Sequence, residues 1–396
     1  MGHHLSSKSS IIPLIDRLNK YPIGLVDNEK LREILSILFD EKESYVASKF
    51  PLEEATLPEL ITATEITEDE LLPILERMAD KGLIMDMPYS GTTYYLLMPG
   101  LIGFMEFTFM KSRVDLPMAK LAQLMTEYLS DNSKDGMANE FFGSTTQLTR
   151  SLVYEDKIPV TSEITTYENA REIIKNASFG AVGTCYCRHK KEHLNKKCKK
   201  GAPVENICIT LGSGARFLTR RGFATEQTKE ELLAIIDKAR DLNLTHVTDN
   251  IRNKPSFLCN CCRCCCELMS GVQMGFTEGI AKTAFLAKIE PDKCDYCGDC
   301  IKACNVKAIG LAKGRQFKDK SERFSEVDTE ICLGCGACIS TCEKKALTLV
   351  PRTRKTIPLY NKRNLFARIA WEKGKLSPFL INRAKKMVKN LFGVSS

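Results

Sequence analysis

Apolar residues in the stretch 28–39 fall at Leu31, Ile34, Leu35 and Leu38, the i, i+3, i+4, i+7 spacing that writes one face of a helix. A second, short helix is expected over 57–62. A third starts at the capping box Thr67-Glu68-Asp69-Glu70, carries Leu71, Leu75 and Met78 as its stripe and ends at Lys81-Gly82, with Pro73 kinking it or delaying its start. Strand-like runs at 83–87 and 92–97, joined by the turn residues 88–91, then predict a hairpin. Helical spacing returns around 118–129, ahead of a polar loop at 130–139. It is clearest over 228–242, where Leu232, Ile235, Ile236 and Ala239 share one side. The end of the chain predicts a basic amphipathic helix from Ser377-Pro378. Phe379, Leu380, Met387, Val388, Leu391 and Phe392 lie on one side of it, and Arg383, Lys385, Lys386 and Lys389 on the other.

Charge divides the chain. The net +8 comes from the tail, since residues 347–396 hold twelve Lys or Arg against Glu372 alone, while residues 28–90 hold fifteen acids against six bases. Three helices and a hairpin resemble a winged-helix domain over 28–98. Such domains suggest DNA, but the third helix carries Glu68, Asp69, Glu70, Glu76 and Asp80 against Arg77 and Lys81, a surface that repels phosphate. A protein-docking or structural module is the better expectation, and nucleic acid is disfavoured.

Eighteen cysteines change the picture further, because all of them lie between Cys185 and Cys342. The first twenty residues lack the pattern of a secretory signal, and the oily run 96–110 is too short and too interrupted to span a bilayer. The expectation is a reduced cytoplasmic chain whose thiolates bind metal.

Cys294-x2-Cys297-x2-Cys300-x3-Cys304 is repeated as Cys332-x2-Cys335-x2-Cys338-x3-Cys342, each cysteine 38 residues after its counterpart. The flanks repeat too, Asp292 with Glu330 and Leu311 with Leu349. This duplication resembles the bacterial two-cluster ferredoxins over about residues 284–351. The resemblance implies two [4Fe-4S] clusters and a crossed ligand set: Cys294, Cys297, Cys300 and Cys342 for cluster one, and Cys332, Cys335, Cys338 and Cys304 for cluster two. The sequence departs from that family after each fourth cysteine, where proline is usual and Asn305 and Glu343 stand. Zinc fits the runs poorly, because four-cysteine zinc sites normally use two separated C-x2-C pairs.

Ten cysteines remain: Cys185, Cys187, Cys198, Cys208, Cys259, Cys261, Cys262, Cys264, Cys265 and Cys266. Six thiols in eight residues at 259–266 point to a metal or cluster, and the CxC elements at Cys185 and Cys261 are candidates for one shared site. Two further cubes, one cube with a zinc, or a single larger centre all remain open. Lysines around 190–200 crowd the first of these elements. His246, Arg188 and His189 are candidate catalytic groups, though a structural role suits His246 better. The run 209–215 ends in glycines but lacks a phosphate-loop fingerprint.

The arrangement of CxCRH, CNCCxCCC and a duplicated run resembles 4Fe-4S dicluster proteins of anaerobic bacteria and archaea. The fold class expected is multidomain α+β: an N-terminal extension (1–27), a winged-helix-like domain (28–98), connecting helices and a cysteine-rich mixed α/β domain (99–283), a βαββαβ two-cluster ferredoxin domain (284–351) and a basic helical tail (352–396). The expected function is single-electron transfer, as an electron-transfer protein or oxidoreductase subunit, through two [4Fe-4S] clusters to or from one or two further iron-sulfur clusters or zinc in the middle domain. A redox-sensing regulator or a cluster-assembly scaffold are the alternatives. Redox partner proteins are expected, within a homo-oligomer or larger complex, with the tail offering peripheral contact at the inner face of a membrane.

Overall fold

The computed structural model describes residues 3–158, 166–312 and 323–377. The chain forms two compact units, one of residues 1–145, 220–223 and 366–396, the other of residues 146–219 and 224–365. Among the described residues no helix is long and apolar enough to cross a membrane.

The first unit opens with α1 (His3–Leu18), α2 (Glu29–Leu38) and α3 (Glu41–Lys49). Its centre holds β1 (Ala55–Thr56), α4 (Leu57–Thr64), α5 (Glu68–Asp80), β2 (Ile84–Tyr89) and β3 (Thr92–Leu97), followed by α6 (Met105–Thr108), α7 (Met118–Leu129) and α8 (Met137–Phe142). The strands form an antiparallel sheet in the order β1-β3-β2, and Ser90 and Gly91, both left-handed, turn the hairpin. The stripe read from α2 is buried as Leu31, Ile34, Leu35 and Leu38. Within the stretch 1–27, expected as an extension, α1 buries Ile11, Leu14, Ile15 and Leu18. One expectation is corrected. Thr67 stands at the cap of α5 without a side-chain capping bond, and the helix runs through Pro73. A complete capping box occurs instead at α3, where Asp40 and Glu43 exchange side-chain bonds to each other's backbone amides.

Acids of α5 and β2 are not left to solvent alone. Arg221 reaches Glu76 at 2.7 Å, Asp80 at 3.0 Å and Asp86 at 2.8 Å within this unit. Residues 99–145 belong here and not with the cysteines, so the division at residue 98 does not coincide with a boundary between compact units.

The second unit holds every cysteine. Its elements are β4 (Thr149–Ser151), α9 (Ala170–Lys175), β5 (Gly180–Gly183), α10 (Tyr186–Glu192), β6 (Cys208–Leu211), α11 (Gly212–Arg220), β7 (Ala224–Glu226), α12 (Lys229–Asp241), β8 (Thr245–Asp249), β9 (Phe257–Cys261) and α13 (Glu267–Gln273). The end of α11, at Arg220, already belongs with the first unit. The strands make an antiparallel sheet ordered β4-β8-β9-β6-β5-β7. Thr228 caps α12 through a bond from the Glu231 amide, and Leu232, Ile236 and Ala239 are its buried side. The duplicated region follows as β10 (Phe285–Ile289), α14 (Asp299–Ala303), β11 (Ile309–Leu311), β12 (Ser325–Val327), a single 3₁₀ turn at Ile339–Thr341 and β13 (Leu347–Pro351). β10 pairs antiparallel with β13, and β11 with β12. Helix α15 (Lys362–Glu372) starts here and from Phe366 on belongs with the first unit; Leu365, Ile369 and Ala370 on it are buried. Residues 378–396, with nearly all of the expected basic amphipathic helix, lie outside the described residues.

Candidate metal centres

The duplicated runs build two cavities. Cys294, Cys297, Cys300 and Cys342 line one of about 320 Å³. Cys304, Cys332, Cys335 and Cys338 line another of about 370 Å³. Each cavity therefore takes three thiols from one run and the last thiol of the other.

The backbone explains how so short a loop surrounds a cavity. Tyr296 and Gly334, Gly298 and Gly336, and Lys307 and Lys345 are three pairs 38 residues apart, and all six residues have positive φ. Left-handed residues between the cysteines curl the chain back so that successive thiols point inward. Glycine is indispensable at only one of them: a Cβ on Gly334 would stand 2.0 Å from the Phe285 carbonyl oxygen. Amides then face the sulfurs. The Ala308 N–H donates to Cys304 Sγ at 3.2 Å, and its counterpart Ala346 N–H donates to Cys342 Sγ at 3.3 Å. Ser325 N–H and the Thr245 hydroxyl do the same for Cys294 and Cys335 at 3.4 Å each. Four soft donors per cavity, backed by N–H and O–H groups that stabilise negative sulfur, fit an iron-sulfur cluster.

The ten other cysteines sort into two groups. Six of them form a closed ring of neighbouring thiols, in the order Cys185, Cys187, Cys266, Cys261, Cys259 and Cys208. Strand geometry supplies half of it. Cys259 and Cys261 are two apart on β9 and share a face, and Cys208 starts the neighbouring strand β6. Cys185 and Cys266 cap α10 and α13. The ring lines a cavity of about 370 Å³, the size of the duplicated pair. The other four, Cys198, Cys262, Cys264 and Cys265, have sulfurs all within 4.8 Å of one another. Hydrogen bonds from Cys262 and Cys265, and amides of Lys200 and Ala202, outweigh burial and hold the Cys198 thiol well below the usual range.

Charge inside this region comes from Arg188, which is only 2% exposed. Its guanidinium donates to the Asn260 carbonyl at 2.8 Å. Burial alone would lower its pKa, but Cys185, Cys262 and Cys208 more than offset that and raise it. Lys190, equally buried, pairs with Glu267 at 2.7 Å. His246 sits inside the sheet, its Nδ1 2.7 Å from Asn260 Oδ1 and its ring against Tyr154. Asn260 Nδ2 donates to the Ile207 carbonyl at 2.8 Å, which turns Oδ1 toward the histidine and makes Nδ1 the protonated nitrogen. This buried, hydrogen-bonded setting is that of a structural histidine. His189, half-buried on α10, lies Nε2 to Nε2 3.2 Å from His193.

Two polar residues that the sequence did not mark as functional tie the regions together. Asn305 is buried and donates to the Asn243 carbonyl and the Thr245 hydroxyl at 2.8 and 2.9 Å, while its oxygen accepts from the Arg263 amide. Lys200 donates to the carbonyls of Asn243 and Ala303. The only signal for Asn305 was its departure from proline; for Lys200 there was none beyond its place in a basic loop.

Compared with known families, residues 293–346 match the model of the 4Fe-4S dicluster domain. No curated protein and no solved structure matches the chain. The match and the clustered thiols together support an iron-sulfur protein with cysteine-rich regions suited to further metal.

Proposed function

We propose that this protein carries single electrons through two [4Fe-4S] clusters to or from a third cysteine-ligated centre. The observation that carries the reading is the exchange of the last cysteine between the two duplicated cavities. In this reading Cys294, Cys297, Cys300 and Cys342 hold one cluster, and Cys304, Cys332, Cys335 and Cys338 hold the other. Each bound cluster would supply a site that accepts and releases one electron at a time. The chain's part is to fix the thiolates, to donate N–H groups to them and to exclude water. Cys297 is exposed, whereas Cys304, Cys332 and Cys338 are buried, so the first cavity is the port and the second the interior relay.

The third centre belongs to the ring of Cys185, Cys187, Cys208, Cys259, Cys261 and Cys266, in which Arg188 stabilises the negative charge that an arriving electron adds. Asn305 and Lys200 link the second cavity to this region through hydrogen bonds. The helices and hairpin of the first unit, winged-helix-like in order, serve as a docking module for a redox partner protein, since Glu76 and Asp80 already face an arginine. The setting proposed is the cytoplasm of an anaerobe.

The test is a stepwise reductive titration under argon, followed by electron paramagnetic resonance. Two one-electron steps with mutually broadened signals support paired clusters. A protein that takes up no electrons refutes the transfer role.

A further inference from the structure

Four thiols of the middle region are packed too closely for a cluster. We propose that Cys198, Cys262, Cys264 and Cys265 form a mononuclear zinc site, distinct from every iron-sulfur centre in the chain. Cys198 Sγ lies 3.6 Å from Cys262 Sγ and 3.7 Å from Cys264 Sγ. Cys264 Sγ lies 3.6 Å from the sulfurs of both Cys262 and Cys265. A tetrahedral zinc ion with Zn–S bonds of about 2.3 Å sets its four sulfurs about 3.8 Å apart, the tetrahedron's edge. A cubane gives each cysteine its own iron and spreads the sulfurs well beyond that. The group is the one compact set of this kind among the described residues. The thiols of the six-membered ring form no such compact set.

Charge and chain geometry agree. Four thiolates on one divalent ion leave two negative charges, and the surroundings answer them. Arg188 hydrogen-bonds Cys198, and the Lys199 amide donates to Cys264 Sγ at 3.3 Å. Three ligands sit within four residues on the turn after β9, and the fourth comes from a loop at 194–202 that has neither helix nor strand. An ion here staples that loop to the turn. It thereby fixes Lys200 where it bonds the Asn243 and Ala303 carbonyls, beside the second cavity. Zinc has no accessible second oxidation state, so the site organises the electron path without belonging to it.

The test uses the full-length protein purified without oxygen, with zinc, iron and acid-labile sulfide counted per chain. Cys264→Ser and Cys198→Ser are the informative variants, because neither residue lines the ring cavity, whereas Cys262 and Cys265 do. Wild type should hold about one zinc, and either variant less than about a tenth of that, with iron and sulfide unchanged. Protein grown with cobalt should show the absorption of a tetrahedral four-sulfur cobalt ion, a readout that needs no variant to fold. Loss of iron and sulfide together from Cys264→Ser would assign these thiols to a cluster and overturn the proposal. Wild type containing no zinc, or a sulfide-free ferric ion in its place, would overturn it equally.

Discussion

The side-chain oxygen of Asn305 accepts a hydrogen bond from the backbone amide of Arg263 across 3.2 Å. One bond thus connects the residue after Cys304 with the residue after Cys262, and the two thiol regions are held by the position at which the two-cluster ferredoxins carry proline. Proline would lose all three side-chain bonds of this asparagine. Asn305→Ala should leave the Arg263 amide without its partner, at about 1–3 kcal/mol, and take one bond each from the Asn243 carbonyl and the Thr245 hydroxyl, which keep Lys200 and Cys335. The expected outcome is a thermal midpoint lowered by several degrees under argon, with bleaching of cluster absorbance at the same temperature.

Gly334 and Tyr296 occupy equivalent positions in the two halves, both left-handed, and they should respond oppositely to substitution. Gly334→Ala forces a Cβ onto the Phe285 carbonyl and onto Thr283 Oγ1, 2.0 and 2.3 Å away. It should cost the protein about four irons, one cube's worth, on purification. Tyr296→Gly meets no such wall and removes a left-handed non-glycine residue worth about 1 kcal/mol of strain, so iron content should stay at the wild-type value. Metal analysis of both variants checks the pair.

Removing the buried cation should shift the potential of one centre alone. Arg188→Met deletes a charge beside Cys185, Cys208 and Cys262, so the reduced form of the ring centre loses its compensation and its potential falls. Arg188→Lys keeps the charge and should recover most of the shift. Potentiometric titration should find the clusters of the duplicated runs little changed in both.

Particular residues explain what could be read in advance. The 38-residue repeat was legible because each thiol of the first run has its counterpart in the second, and flanking residues such as Leu311 and Leu349 recur at the same offset. The helix faces at Leu31–Leu38 and Leu232–Ala239 were legible because burial follows the 3.6 period. The partition of the middle cysteines was not. Cys261 and Cys266 belong to the ring, but Cys262, Cys264 and Cys265, between them in sequence, belong to the compact group, since a strand ends at Cys261 and the turn after it points the next side chains elsewhere. Nor did α1 announce itself, although Ile11, Leu14, Ile15 and Leu18 carry a helical spacing; its partners lie in other helices that sequence spacing does not connect.

His246 makes stability depend on pH. Burial first, opposed by the Asn260 hydrogen bond, lowers its pKa to about 4 in the folded chain. The unfolded chain takes up a proton near pH 6.5 that the folded one refuses, so the contribution is complete above about 6.5 and is lost as pH falls toward about 4, on the order of 3 kcal/mol in all. Wild type should lose stability between pH 7 and 5 more steeply than His246→Gln, in thermal melts at matched ionic strength.

The most direct measurement is the iron and acid-labile sulfide content of the full-length protein isolated without oxygen. Paired cubes in the duplicated runs require at least about eight of each per chain, with more if the thiol ring holds a centre of its own. Colourless protein without inorganic sulfide would contradict the account at its root.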